Sequence, residues 1–265
     1  MIIDFHAHAF PDQVAATAVP ALAEKGNVTP CLDGRIDTLL AAMERAGVER
    51  SVICSIATRP GQFGSILAWS KSIRSERIIP FPSFHPESPE AMAEIRTITS
   101  EGFRGIKMHP YYQNFQIDEE RLFPFYEAIS AAGLVLVMHT GFDIGFPRER
   151  IAGPDRIARV VERFPELKLV ATHLGAWEMW DEVRELLAGR RVYMDISFSL
   201  QFLEREAARQ LILAHPADRI LFGSDSPWAC QEEVVRLVRS LNLGAEREEL
   251  IFRANALELL GGKSG

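Results

Sequence analysis

The N-terminal stretch IIDFHAH, residues 2–8, contains the pattern that decides the fold. Ile2, Ile3, Phe5 and Ala7 place apolar side chains at both odd and even positions, so both faces of a strand formed here would be buried. Strands buried on both faces are typical of a parallel sheet whose faces are covered by helices. The stretch also ends on histidine, and an apolar run with a polar end recurs along the chain.

Amphipathic segments separate these apolar runs. In several of the segments, such as residues 36–43, the apolar residues recur with the spacing of a helix. The eight predicted strands are Ile2–His8, Ser51–Ala57, Ile78–His85, Phe103–His109, Leu134–His139, Leu167–His173, Val192–Ser197 and Ile220–Ser224. Eight alternating strands and helices predict an α/β fold, a closed (β/α)8 TIM barrel. An open doubly wound sheet is the alternative, but its first strand would normally lead into a glycine-rich turn, which FPD at residues 10–12 is not.

The 265 residues contain no linker or change of composition, so we expect one domain spanning residues 1–265. The segment Pro11–Asp33 is longer than a usual βα loop, and we expect it to overhang the C-terminal mouth of the barrel as a partial lid. The pattern of Arg247–Leu260 predicts an extra C-terminal helix packed on the barrel, followed by a frayed tail, Gly261–Gly265.

The composition excludes several classes of protein. Apolar residues make up 47% of the chain, which excludes a disordered or fibrous protein, and a net charge of −7 argues against a nucleic-acid partner. The N-terminus lacks the basic region of a signal peptide, and no apolar run is long enough for a membrane helix. Cys31, Cys54 and Cys230 form no CxxC pair, which suits a reducing compartment. We therefore expect a soluble cytoplasmic protein.

The placement of the histidines is the most informative feature of the sequence. Six of the seven lie at or near the C-terminal end of a predicted strand, where barrel enzymes build their active sites: His6, His8, His85, His109, His139 and His173. The period-2 spacing of His6 and His8 puts both imidazoles on one side of a strand, where they could supply half of a zinc site. Taken alone, however, the pair is better explained as two ordinary polar residues at a strand end than as metal ligands.

Three further residues at later strand ends strengthen the metal interpretation: His139, His173 and Asp225. A carboxylate at the end of the eighth strand faces the first strand across the mouth of the barrel, which is the geometry that a metal site needs. Considered alone, Asp225 is explained about equally well as a metal ligand and as a turn residue before Pro227.

Five motifs in this order resemble the amidohydrolase superfamily over nearly the whole chain. They are DFHAH at the start, GFRGIKMHP at strand four, MHTG at strand five, THLG at strand six and LFGSDSP at strand eight. The resemblance is closest to the amidohydrolase 2 branch, which includes aminocarboxymuconate-semialdehyde decarboxylase. It implies a barrel with one or two divalent metals at the mouth. Zn²⁺ is the expected ion, Mn²⁺ the alternative, and one ion per chain is favoured over two.

The resemblance also implies roles for individual residues. His6, His8, His139 and Asp225 correspond to the metal ligands of mononuclear members, and His173 to a catalytic histidine or a ligand of a second metal. Lys107 lies where dihydroorotases carry a carboxylated lysine that bridges two metals. A lysine that binds an anionic substrate or pairs with a carboxylate is the slightly favoured alternative.

Candidates for substrate binding lie on strand four and in the loops that follow the predicted strands. They are Lys107, His109, Tyr111, Arg59 and Trp177, with Tyr112, Arg148 and Arg150 nearby. An arginine near a metal suggests a small-molecule substrate that bears a carboxylate, although each arginine taken alone is more simply a solvated loop charge. Homodimers are common in this branch, but the sequence identifies no exposed apolar stripe.

The residues allow two reactions. A divalent ion lowers the pKa of bound water to about 7, and with Asp225 as proton acceptor and His173 stabilising the oxyanion this predicts hydrolysis of an amide, lactone or other carboxylic derivative. The alternative is non-oxidative decarboxylation of an unsaturated or aromatic acid, in which a histidine or water protonates the carbon that loses CO₂. A non-catalytic binding barrel is disfavoured, because the full ligand set is present.

Overall fold

The computed structural model describes residues 1–261 and contains eight parallel strands. They are β1 (Ile2–Ala7), β2 (Val48–Cys54), β3 (Ile78–Phe81), β4 (Gly105–Met108), β5 (Val135–Met138), β6 (Lys168–Ala171), β7 (Tyr193–Asp195) and β8 (Ile220–Leu221). Each strand overlaps a run predicted from the sequence. All eight runs extend beyond the end of their strand, because their last residues already belong to the loops at the barrel mouth.

The strands form two continuous parallel ladders, β1 to β3 and β4 to β8. Backbone hydrogen bonds connect the ladders at both edges. Lys107 on β4 donates to the carbonyl of Pro82, just after β3, at 3.0 Å, and Asp225 after β8 donates to the carbonyl of His6 at 2.7 Å. The eight strands therefore close into the TIM barrel that the sequence predicts.

Apolar side chains fill the barrel interior, which makes it a packed core and not a channel. Residues from six strands contact one another there: Ile3, Phe5, Val52, Cys54, Phe81, Val135, Val137, Val170 and Leu221. Ala256 and Leu259 of the C-terminal segment pack against the same cluster. A second, larger cluster lies between the strands and the surrounding helices.

Helices follow the strands around the barrel, and none in residues 1–261 has both the length and the apolar character to cross a membrane. They are α1 (Asp12–Gly26), α2 (Ile36–Ala46), α3 (Phe63–Ile73), α4 (Ala91–Ser100), α5 (Pro110–Gln113), α6 (Phe123–Ala131), α7 (Pro154–Arg163), α8 (Trp180–Leu186), α9 (Arg205–Ala214), α10 (Gln231–Ser240), α11 (Ala245–Glu249) and α12 (Asn255–Leu259). A π-helical turn, Leu250–Ala254, joins α11 to α12, so the predicted C-terminal helix is present. Except for Gly261, the predicted tail lies outside the described residues.

The long segment after β1 is not the simple loop expected from the sequence, because it contains the 15-residue helix α1. The sequence obscures this helix, since Pro20 lies inside it and a proline there removes a backbone hydrogen bond. The helix ends at Asn27, whose left-handed conformation (φ 48°) reverses the chain. Several side chains of α1 line the cavity described below, which agrees with the predicted position over the barrel mouth.

Cys31, between α1 and α2, forms a disulfide with Cys230 at the start of α10, with 5.5 Å between their Cα atoms. Cys54 is free and buried. The sequence-based inference of a reducing compartment is therefore not supported by the cysteines, since two of the three are paired. The bond links the segment after α1 to the loop after β8.

Candidate active site

His6, His8 and Asp225 form a compact cluster where the ends of β1 and β8 meet. Nε2 of His6 lies 3.2 Å from Nε2 of His8. Oδ1 of Asp225 lies 3.4 Å from the first of these nitrogens and 3.1 Å from the second. Burial alone would raise the pKa of Asp225, but the neighbouring histidines lower it to about 2. The group is close enough to hold one metal ion.

The second nitrogen of each imidazole has a partner that determines where the ring hydrogen lies. Nδ1 of His8 is 2.8 Å from the carbonyl oxygen of Cys54, and Nδ1 of His6 is 2.9 Å from Oδ2 of Asp195. Both partners accept hydrogen bonds, so the neutral form of each histidine carries its hydrogen on Nδ1 and turns Nε2 toward the site. In these neutral forms two nitrogen lone pairs and a carboxylate oxygen face one another. This donor set fits a divalent cation.

His139 and His173 repeat this arrangement after the neighbouring strands β5 and β6. Nδ1 of His139 lies 3.1 Å from Nε2 of His173. The outer nitrogens donate to backbone carbonyls, from His139 to Phe142 at 3.2 Å and from His173 to Ser197 at 3.0 Å. In the neutral forms of the two rings, the facing nitrogens therefore both carry lone pairs. The ring centres of His173 and His6 are 5.6 Å apart, so the two histidine pairs belong to one site.

Asp195, at the end of β7, connects this site to the barrel. Its Oδ1 accepts hydrogen bonds from the backbone of His173 at 3.1 Å and from Ser197 Oγ at 2.5 Å, while Oδ2 faces His6. Burial alone would raise the pKa of Asp195, but His6 and these hydrogen bonds hold it well below its ordinary value. The carboxylate is therefore charged, and it fixes the orientation of His6.

Lys107 enters the site from β4 and is almost completely buried, with 1% of its surface exposed. Its Nζ lies 3.1 Å from Nε2 of His6. The ammonium group and a divalent ion would compete for the same lone pair, so a bound ion requires Lys107 to move or to change its charge. The carboxylated form implied by the resemblance stays a prediction.

His109 and Asp143 lie beside His139 and form a second candidate metal group with it. Oδ2 of Asp143 lies 3.3 Å from Nε2 of His109 and 3.6 Å from Nε2 of His139. The two imidazoles are stacked, with ring centres 4.0 Å apart and planes within 10°. Lone pairs in parallel planes cannot converge on one ion, and Nε2 of His139 already donates to a carbonyl, so this group is a poor metal site.

A cavity of about 590 Å³ opens onto the histidines and is lined by α1, α3 and the loops of the barrel mouth. Trp177 lines this cavity, as the sequence predicts, and so do Lys107 and His109. Most of the remaining lining is apolar or aromatic: Phe10, Val14, Leu22, Ile66, Trp69, Phe142, Phe198 and Trp228. The cavity therefore suits a small molecule with an apolar body.

Other sequence candidates lie away from the cavity lining. Arg59 is exposed, and Arg148 and Arg150 form exposed ion pairs with Glu178 and Glu182. The hydroxyl of Tyr111 donates to the carbonyl of Glu149 at 2.6 Å, and it is also 3.2 Å from the carbonyl of Gly141, which makes it part of the loop packing. His85 is buried, and its Nδ1 accepts a hydrogen bond from the backbone of Glu87.

Sequence reasoning missed Asp143 and Lys25, both of which line the cavity. Asp143 was detectable in principle, since it lies four residues after His139 in MHTGFD. Lys25 has no such signal, because it lies in the segment that the sequence predicts to be a loop.

A sequence model of the amidohydrolase family matches residues 3–262 of the chain. The chain belongs to the amidohydrolase family. Its solved structural neighbours include an uncharacterized TIM-barrel protein from Bordetella bronchiseptica, with a TM-score of 0.80, 23% identity and 98% coverage of both chains. They also include 5-carboxyvanillate decarboxylase from Novosphingobium aromaticivorans, complexed with manganese and 4-hydroxy-3-methoxy-5-nitrobenzoic acid. That structure has a TM-score of 0.72 and 16% identity, with 98% of this chain and 96% of the other covered.

This amidohydrolase also resembles a dihydroorotase from Pseudomonas savastanoi pv. phaseolicola, with 32% identity over 105 residues. The matched segment covers 36% of this chain and 30% of the dihydroorotase. The similarity to dihydroorotases is therefore partial, and the structural neighbours below 25% identity establish the TIM-barrel fold alone.

Proposed function

We propose that this amidohydrolase is a metal-dependent hydrolase that cleaves an amide, a lactone or another carboxylic derivative. The observation that carries the proposal is the cluster in which Nε2 of His6 and Nε2 of His8 face each other beside Oδ1 of Asp225. His6, His8, His139 and Asp225 would hold one ion, for which Zn²⁺ is expected and Mn²⁺ is the alternative. Such an ion supplies a Lewis acid and lowers the pKa of bound water.

The residues of the chain then have distinct roles. Asp225 is ionised at neutral pH and accepts the proton of the attacking water at its carboxylate. His173 has its hydrogen on Nδ1, so its Nε2 must take up a proton before it can donate one to an oxyanion or a leaving group. The apolar walls around Trp177 exclude water and orient the substrate.

Decarboxylation of an unsaturated or aromatic acid is the alternative function. It is supported by the aromatic side chains in the cavity wall and by the similarity to a decarboxylase that was solved with a substituted benzoic acid. The same histidines would serve: His173 would take up a proton from water at Nε2 and donate it to the carbon as that carbon loses CO₂.

A screen of the Zn²⁺- and Mn²⁺-loaded protein tests the proposal. Lactones, amides and aromatic acids are supplied in parallel, and hydrolysis and CO₂ release are measured separately. Elemental analysis and intact mass accompany the screen. We expect one ion per chain and hydrolysis. CO₂ release without hydrolysis would favour the alternative, and the absence of any bound ion after reconstitution would overturn both. Two ions with the mass gain of a carbamate on Lys107 would replace the one-metal site by a two-metal site.

A further inference from the structure

Lys25, on α1, lines the cavity and carries an ammonium group there. Its Nζ lies 3.4 Å from the ring centre of Phe146 and 5.4 Å from that of Tyr112. The ion pairs formed within residues 1–261 include none from Lys25. Aromatic faces hold a cation in place without cancelling its charge, so this ammonium group remains available to an anion in the cavity.

The hydroxyl of Tyr112 is a second unused donor at the same place. Tyr112 lines the cavity, and within the part of the chain that the structure describes its hydroxyl has no hydrogen-bond partner. Burial, with a further contribution from Asp143, raises the pKa of this hydroxyl, so it keeps its hydrogen at neutral pH. A cation and a neutral hydroxyl in the same cavity wall are donors that suit a carboxylate.

A continuous aromatic wall connects these donors to the histidine site. Ring centres are 4.0 Å apart between His139 and His109, and 4.7 Å apart between His109 and Tyr112. Lys25 follows at 5.4 Å from the ring of Tyr112. The sum of these three distances is an upper limit for the separation of the ammonium group from the ring centre of His139.

We propose that Lys25 and Tyr112 form an anion subsite for a carboxylate at the end of the substrate remote from the reacting bond. The substrate is then an amphipathic acid whose flat, apolar body lies along the wall of His109 and Tyr112. The proposal rests on the proposed function only for the location of the reacting group, which is the histidine site.

The test compares two probes that differ only in one charge, terephthalate and its monoamide, 4-carbamoylbenzoate. Binding to the metal-loaded protein is measured by calorimetry and by quenching of Trp69, Trp177 and Trp228, which line the cavity. Wild type should bind the diacid about fivefold more tightly than the monoamide, the upper range for a partly exposed ion pair. Lys25→Met keeps the apolar stem on the rings and should remove this preference, while Lys25→Arg should retain it.

Matched controls make the result specific. Lys168→Met removes an exposed lysine at the start of β6, outside the cavity lining, and should leave the preference unchanged. Tyr112→Phe should reduce the preference by about half. The affinity for the monoamide serves as the folding control in every variant.

The proposal fails if wild type shows no preference for the diacid, or if Lys25→Met retains the full preference. Metal content is measured in the same samples, so failure of the proposed function is visible separately as a protein that binds no ion. If the protein binds its ion and turns over monoacids, but Lys25→Met has the same preference for the diacid as wild type, the subsite alone is refuted.

Discussion

Nδ1 of His6 lies 2.9 Å from Oδ2 of Asp195, and this pair determines which nitrogen of His6 faces the site. Asp195 comes from β7 and His6 from β1, so the contact crosses the barrel mouth and spans 189 residues of sequence. Partners of this kind orient a metal-ligating imidazole and increase its basicity.

Asp195→Asn should therefore weaken Zn²⁺ binding by about 10- to 100-fold, because the amide lacks the charge that fixes the hydrogen on Nδ1. Competition with a chelating dye measures the affinity. Asp218→Asn, which alters a carboxylate with 61% of its side chain exposed, is the matched control and should bind Zn²⁺ as wild type does. Unchanged affinity in Asp195→Asn would show that Asp195 does not orient His6.

His6→Ala and Asp225→Asn should each abolish turnover and sharply reduce bound metal, since each removes a donor from the facing cluster. Metal content after dialysis and the rate with any substrate found in the screen are the measurements. His85→Ala is the control, because His85 also follows a strand but lies outside the cavity lining. Full metal content and full turnover in either site variant would disprove the ligand assignment.

The double variant Cys31→Ser/Cys230→Ser should lower the free energy of unfolding by about 3 kcal/mol, because the bond closes a loop across a sequence separation of 199 residues in the unfolded chain. Urea denaturation under non-reducing conditions measures the difference. A dithiol reductant should destabilise wild type to the same extent and leave the double variant unaffected. If the reductant destabilised both proteins equally, the loss of stability would not come from breaking the Cys31–Cys230 bond.

Asp118→Asn should lower the free energy of unfolding by about 1 kcal/mol at pH 7. Oδ2 of Asp118 lies 2.7 Å from Nε of Arg159, and Arg156 contacts the other oxygen. Burial would raise the pKa of Asp118, but the two arginines lower it below its ordinary value. The stabilisation is therefore complete above the unfolded pKa of about 3.9 and is lost as the pH falls through the folded pKa. Denaturation of both proteins from pH 7 to pH 2 should show the difference shrinking. A difference in the free energy of unfolding that stays constant over this pH range would show that the ion pairs of Asp118 are not its cause.

The barrel was predictable because its eight strands are buried on both faces and carry continuous apolar runs, as at Ile2–Ala7. The location of the histidines was predictable for a related reason, since polar residues such as His139 that end such runs must lie at the mouth of the barrel; their role as metal ligands stays a prediction. Helix α1 was not predictable from the sequence, because Pro20 interrupts its helical pattern of apolar residues.

Contacts between residues that are distant in the sequence were also not predictable. Nothing local indicates that Arg150 pairs with Glu182 instead of facing the substrate, or that Lys25 packs on Phe146. Such pairings depend on how the loops fold over the mouth, and loop conformation is set by tertiary contacts.

Helix α1 is an addition to the repeating strand–helix units, and it supplies part of the cavity wall but none of the clustered histidines. Part of the wall that selects a bound molecule thus lies on a segment that carries none of the candidate metal ligands. Replacing this segment is a route to changing which molecules the cavity accepts while the histidine cluster stays as it is.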